Sequence, residues 1–95
     1  MRLLFTVMTI LLAAATLVST RSSSQAQASI CQSLWEERNS YYKEAGYCFH
    51  TARAIRHFGN AGCQFDDEAA VPLSRATRNR IAEIKRQERR LGCSD

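Results

Sequence analysis

The chain has 95 residues, with 13 Lys and Arg against 9 Asp and Glu and a formal net charge of +4. That length allows one small domain, and so modest a net charge of mixed signs argues against a nucleic-acid partner. A core this small needs reinforcement, which makes the four cysteines the central feature.

Met1-Arg2 opens the chain, and an apolar run follows from Leu3 to Val18, diluted only by Thr6, Thr9 and Thr16. The polar stretch after it ends in Ala26-Gln27-Ala28, which puts small residues one and three before a cut. This pattern predicts a secretory signal peptide over residues 1–28, cleaved after Ala28. The run has 16 residues, short of the roughly 20 that a retained spanning helix needs. Cleavage leaves residues 29–95 as the domain. Arg2 and Arg21 leave with the signal, so the net charge falls from +4 to +2. No second apolar run follows. The mature chain is therefore expected to be periplasmic or secreted, without an integral membrane span.

The first helix is predicted over Gln32–Ala45. Leu34, Arg38, Tyr41 and Ala45 fall on one stripe at helical spacing, flanked by Trp35 and Tyr42. Gly46 supplies the left-handed stop. A short second helix is predicted over Ala52–Phe58, capped by Thr51 and ended by Gly59. Ile55 and Phe58 are its expected inward residues, with Phe49 closing over Ile55 as a hydrophobic staple. Residues 64–73 read as a loop. Its Asp66-Asp67-Glu68 cluster lacks the alternating oxygen ligands of a calcium loop, so it is expected to be solvated. The third helix is predicted from the Ser74 cap to Leu91, with Gly92 as its stop. Its inward stripe is Thr77, Ile81, Ile84, Glu88 and Leu91. The fold class expected is all-α: a small three-helix domain stapled by disulfides, with two long antiparallel helices and one short one.

Each long helix thus carries one charge on its apolar stripe, Arg38 on the first and Glu88 on the third. A charge among core residues must be paired or it costs several kcal/mol. The simplest account is that the two form a structural ion pair. The cysteines give this a register. Four cysteines allow three pairings, and only the nested one, Cys31–Cys93 around Cys48–Cys63, ties the ends together. With Cys31 bridged to Cys93 and the helices antiparallel, Arg38 lies about 10 Å inside one end. Glu88 lies about 7–8 Å inside the other at 1.5 Å per residue. The arginine side chain spans the difference. An exported location favours disulfides over thiolate–metal ligation. Cys48, His50, His57 and Cys63 hold zinc-binding atoms but form no tight Cys-x-x-Cys knuckle, so neither metal nor cofactor is expected.

Trp35, Arg38-Asn39, Tyr42, Gly46, Phe49 and Phe58, then Leu73-Ser74, Ile81, Ile84 and Glu88, resemble the YARHG domain. Its signature runs approximately W-x-x-R-N-x-x-Y-A-R-H-G-x-x-F, with a later L-S and a final helix ending in glutamate. The naming motif reads Tyr42-Lys43-Glu44-Ala45-Gly46 here, so only its first and last residues are present. The cysteine-bearing segments look like a disulfide-stabilised, stand-alone branch of such domains. The resemblance implies a small helical extracellular module of bacteria and brings no reaction with it.

No catalytic set is visible in the residues themselves. Glu36, Glu37, Glu44 and Glu88 are candidate carboxylates and His50 and His57 candidate bases, but no spacing pairs them as a base and nucleophile. The outer face of the third helix carries Arg75, Arg78, Lys85, Arg86, Arg89 and Arg90. Arg78, Lys85, Arg86 and Arg89 make a candidate binding surface, and plain solvation is the default for such a face. The function expected is a non-enzymatic module that contacts the cell envelope or a protein partner. The alternatives are a small muralytic hydrolase and a cationic effector acting at membrane surfaces.

Overall fold

A computed structural model describes residues 21–94 together with Ala14; the rest of the expected leader lies outside the described residues. Three helices follow one another: α1 (Arg21–Glu44), α2 (Ala52–Phe58) and α3 (Arg75–Leu91), with a 3₁₀ turn at Glu68–Ala70 between the last two. The described residues contain no named strand, only an isolated parallel bridge between Tyr47 and Phe65. The fold is all-α.

The caps follow from local chemistry. The Thr51 side chain accepts from the Ala54 N–H, and that of Ser74 accepts from the Thr77 N–H, each satisfying a free donor of a first turn. Gly92 closes α3 in the left-handed conformation, φ 67° and ψ 31°, where a side chain would be strained.

α1 packs against both α3 and α2. Ile84 is fully buried, and Ile81, Leu34 and Trp35 are nearly so. Around Trp35 the core gathers Tyr42, Phe49, Ala54 and Val71. Burying an apolar side chain of this size stabilises by about 1.5–3 kcal/mol, so these few residues carry most of the apolar contribution.

Four expectations differ from the structure. First, α1 begins at Arg21 instead of Gln32, so the expected cut after Ala28 falls inside a helix. Gln25, Ala26, Gln27 and Ala28 all have good helix propensity. The Gln27 side chain also donates to the Leu91 carbonyl, which anchors the added turns on α3. Second, Ile55 is exposed and Ala54 takes the inward place. α2 turns its 54/58 edge to α1, because the small Ala54 allows close approach while Phe58 reaches Trp35, with ring centroids 5.6 Å apart. Third, the staple over Ile55 is absent, and Phe49 stacks on Phe58 at 5.2 Å instead. Fourth, residues 64–73 keep their acidic cluster exposed as expected but carry more structure than a loop. Cys48 N–H donates to the Phe65 carbonyl at 2.8 Å, Asp67 caps the 3₁₀ turn, and Val71 is almost completely buried.

The segment before α2 is fixed by Asn60. Its Oδ1 accepts from the Phe49 N–H at 2.7 Å and its Nδ2 donates to the Phe49 carbonyl at 2.9 Å. One side chain thus replaces a strand partner for Phe49. Asn60→Ala should lower unfolding stability by about 1–3 kcal/mol, because the Phe49 groups lose their partners beside the core. Urea unfolding followed by Trp35 fluorescence measures this.

Candidate functional site: the α1–α3 seam and its rim

The two nested bridges set the frame. Cys31 and Cys93 are joined with Cα atoms 5.5 Å apart, and Cys48 and Cys63 with Cα atoms 5.1 Å apart. No described cysteine is free. Cys48 and Cys63, half of the zinc-type set, are therefore bonded to each other.

Seven residues along α1 from Cys31, Arg38 meets Glu88. Arg38 Nε donates to Glu88 Oε1 at 2.7 Å and its Nη2 donates to Oε2 at 3.0 Å. The two planar groups face each other as a fork on a fork, the strongest form of charged hydrogen bond. Only 13% of the Arg38 side chain and 10% of the Glu88 side chain is exposed.

A second pair closes the other edge of the seam. Arg80 Nε and Nη2 donate to the two oxygens of Glu37 at 2.6 and 2.7 Å, and the Tyr41 hydroxyl donates to the same carboxylate at 3.0 Å. The Arg80 hydrogen bonds, against some desolvation, hold the Glu37 carboxyl below its ordinary range. This pair escaped sequence reading, since Glu37 and Arg80 sit off the apolar stripes. The i,i+4 spacing of Glu37 and Tyr41 was the available signal.

Glu68 joins the loop to both long helices. It accepts from the Tyr42 hydroxyl at 2.6 Å and from Lys85 Nζ at 3.4 Å. The Tyr42 hydrogen bond is the largest cause holding the Glu68 carboxyl low, ahead of opposing burial and the Lys85 charge. Burial and the same hydrogen bond push the Tyr42 phenol far above its ordinary value. Beside this contact a cleft of about 190 Å³ runs over Trp35, Asn39, Tyr42, Tyr47 and Phe49, with His50 and Glu68 on its rim.

The candidate acids and bases do not converge. His50 is exposed, with Nε2 2.7 Å from the Asp66 carbonyl oxygen. His57 sits against the Trp35 ring, 3.9 Å from Glu36 Oε1. Glu36 accepts from Gln32, and Glu44 is exposed at the end of α1. Among the described residues no group of three His, Cys, Asp or Glu could hold a metal ion.

The candidate basic surface divides in two. Arg78 donates to the carbonyls of Leu73 and Val71, both at 3.2 Å, and Lys85 reaches Glu68. Both serve the fold. Arg86 and Arg89 are exposed, and with Arg90, also on the expected outer face, they line one open depression.

The model of the YARHG domain matches residues 8–89. The chain belongs to the YARHG domain family. No curated protein and no solved structure matches it. YARHG domains are small and extracellular in type, and two disulfides agree with an oxidising compartment. The geometry explains what most YARHG-pattern residues do here. Trp35, Tyr42, Phe49 and Ile81 are core, and Asn39 is buried with its amide donating to the Trp35 carbonyl at 2.9 Å. Gly46 turns the chain at φ 92°, and a Cβ there would meet the Phe65 ring at 3.5 Å. The Arg and Glu of the pattern are the bonded pair Arg38 and Glu88. No helix among the described residues is long and apolar enough to cross a membrane.

The lowered carboxyls make stability depend on acid. A carboxyl whose folded value lies below its unfolded value contributes stability that is fully present above the unfolded value. That contribution is lost as pH falls through the folded value. Melting temperature should therefore hold from neutrality down to about pH 5 and fall below it. The fall should be shallower in Glu37→Gln and in Tyr42→Phe, which removes the hydrogen bond holding Glu68 low. Thermal melts in a pH series measure it.

Proposed function

We propose that this YARHG domain is an exported, non-enzymatic helical module. In this reading it loses residues 1–28, works in the periplasm or outside the cell, and acts by contact with a cell-envelope component or a protein partner. The observation that carries the reading is the use of its reactive groups in the architecture. All four cysteines are bridged, and Glu88 and Glu37 each have both oxygens on an arginine. A general acid must present its proton to a substrate within hydrogen-bond reach, and a carboxylate forked onto a guanidinium presents none. His50 lies against the Asp66 carbonyl and His57 against the Trp35 ring, so the two sit on different segments. What is left to act is the outer surface.

The test incubates the oxidised exported chain with insoluble peptidoglycan, with anionic vesicles and with cross-linked envelope extract, at low and moderate salt. Retention by one of them, with no soluble sugar fragments released, is the expected result. Release of fragments that stops in a folded Glu88→Gln variant would replace this reading with a muralytic enzyme. An intact mass beginning at Ser29 checks the processing.

A further inference from the structure

We propose that the cleft over Trp35, Asn39 and Tyr47 binds one neutral, polyhydroxylated sugar ring. This rests on the envelope reading above, which supplies a glycan as the source of the ring.

The first argument is place and size. Every residue lining the cleft lies between positions 35 and 68, so cleavage after Ala28 leaves it whole. The larger depression beside the Cys31–Cys93 bridge is walled by Ser24, Gln27 and Ala28, and in the same reading it loses that wall. The cleft holds about 190 Å³, below the roughly 300–1,000 Å³ of a drug-sized site, so it takes a single ring and not a strand or a helix.

The second argument is unused hydrogen-bonding capacity. Asn39 is only 7% exposed, and its Nδ2 donates one hydrogen to the Trp35 carbonyl. Its Oδ1 accepts from no described residue. Among the described residues, no side-chain oxygen or nitrogen that is shut off from solvent lacks a partner. Oδ1 therefore opens on the cleft that Asn39 lines. A nearly buried polar atom without a partner is unfavourable, and a ligand's donor relieves it. Tyr47 repeats the pattern. Its half-buried ring has Tyr42, Phe49 and His50 around it, with centroids between 5.2 and 5.8 Å away. Its hydroxyl has no hydrogen-bond partner among the described residues. Burial, then the charges of Glu68, Asp67 and Asp66, push the phenol above its ordinary value. The hydroxyl thus sits in a partly dry place near the loop's carboxylates.

The third argument selects the class of ligand, because the lining keeps both acceptors and donors. Glu68 takes Tyr42 and Lys85 on Oε1 and leaves Oε2. His50 Nε2 faces a carbonyl and must donate to it, so Nδ1 of the neutral ring is left as an acceptor. Thr51 Oγ1 accepts from the Ala54 N–H and keeps its own hydrogen to donate, as does the Tyr47 hydroxyl. An ammonium would use the acceptors alone, and a phosphate or carboxylate the donors alone. Sugar hydroxyls use both. The apolar part of the lining is Trp35, Phe49 and Ala54. It suits the C–H face of a sugar ring, whose polarised hydrogens meet the electron-rich faces of aromatic rings.

The test follows the oxidised exported chain by heteronuclear NMR as N-acetylglucosamine trimer, glucose trimer, choline or inorganic phosphate is added. A sugar should saturably shift signals of the cleft, among them the indole N–H of Trp35, the one tryptophan. Choline and phosphate should leave them in place. A response confined to the acetylated trimer upholds the proposal and points to an amino-sugar glycan; a response to the glucose trimer upholds it and points to a plain one. Tyr47→Phe removes only the hydroxyl and should weaken binding about three- to tenfold, the worth of one hydrogen bond. Asn39→Ala should weaken it about tenfold or more. Arg90→Gln, in the last turn of α3, should match the parent. Helical circular dichroism checks that each variant is folded. No shift with either sugar, shifts with choline or phosphate instead, or full affinity in folded Tyr47→Phe overturns the proposal. Retention on peptidoglycan with no sugar response in the cleft also overturns it and leaves the envelope reading standing. Sugar binding in the cleft without retention on any envelope fraction upholds it and removes the envelope reading.

Discussion

Reduction of both disulfides should unfold the domain at physiological temperature. The bridges close loops spanning 62 and 15 residues of sequence. In the chain-entropy account such loops stabilise by about 4 and about 3 kcal/mol. A core of this size supplies only about 3–5 kcal/mol by itself. Removing both bridges therefore removes most or all of the net stability. Far-UV circular dichroism with and without reductant reads the result, and a reduced chain with an unchanged melting curve would contradict it. Single-bridge variants should rank by loop length. Replacing Cys31 and Cys93 with alanine should cost more than replacing Cys48 and Cys63.

Glu88→Ala should be the most damaging single substitution away from the cysteines, costing about 3 kcal/mol. Breaking a buried ion pair costs about 3–5 kcal/mol, because the charge that remains loses its forked counter-charge in a mostly dry place. The lower end applies because each side chain keeps about a tenth of its surface in water. Arg38→Ala should cost a similar amount. Arg38→Met combined with Glu88→Leu should recover most of the loss, since apolar replacement of a whole buried pair is often neutral. Denaturant unfolding of both singles and the double gives the coupling energy directly. Additive losses would show that the pair does not act as a unit.

Periodicity was enough to read α3 and the C-terminal half of α1, but not the turns of α1 before Gln32. α3 was legible from its cap to its stop, because its stripe repeats over 17 residues and a polar cap and a glycine mark its ends. The Arg38–Glu88 contact was legible because a charge on an apolar stripe demands a partner, and the cysteines set the register. The face of α2 was not. With seven residues it offers two candidate stripes one position apart, and close approach to α1 decided for Ala54 over Ile55. The clasp of Asn60 on Phe49 and the burial of Val71 are contacts between segments with no period of their own. Nothing local marks them. Arg78 is exposed on the outer face as expected, but sequence could not show that two backbone carbonyls lie within its reach.

The Cys31–Cys93 bridge makes the domain a closed ring. Positions 62 residues apart lie within 5.5 Å of each other, so the chain enters and leaves at one point. A short peptide could take the place of the bridge, and the ring could be opened instead at the exposed turn of Ala61 and Gly62. A longer polypeptide could carry the same unit as a bead hung from a single point, without altering the path of the chain on either side.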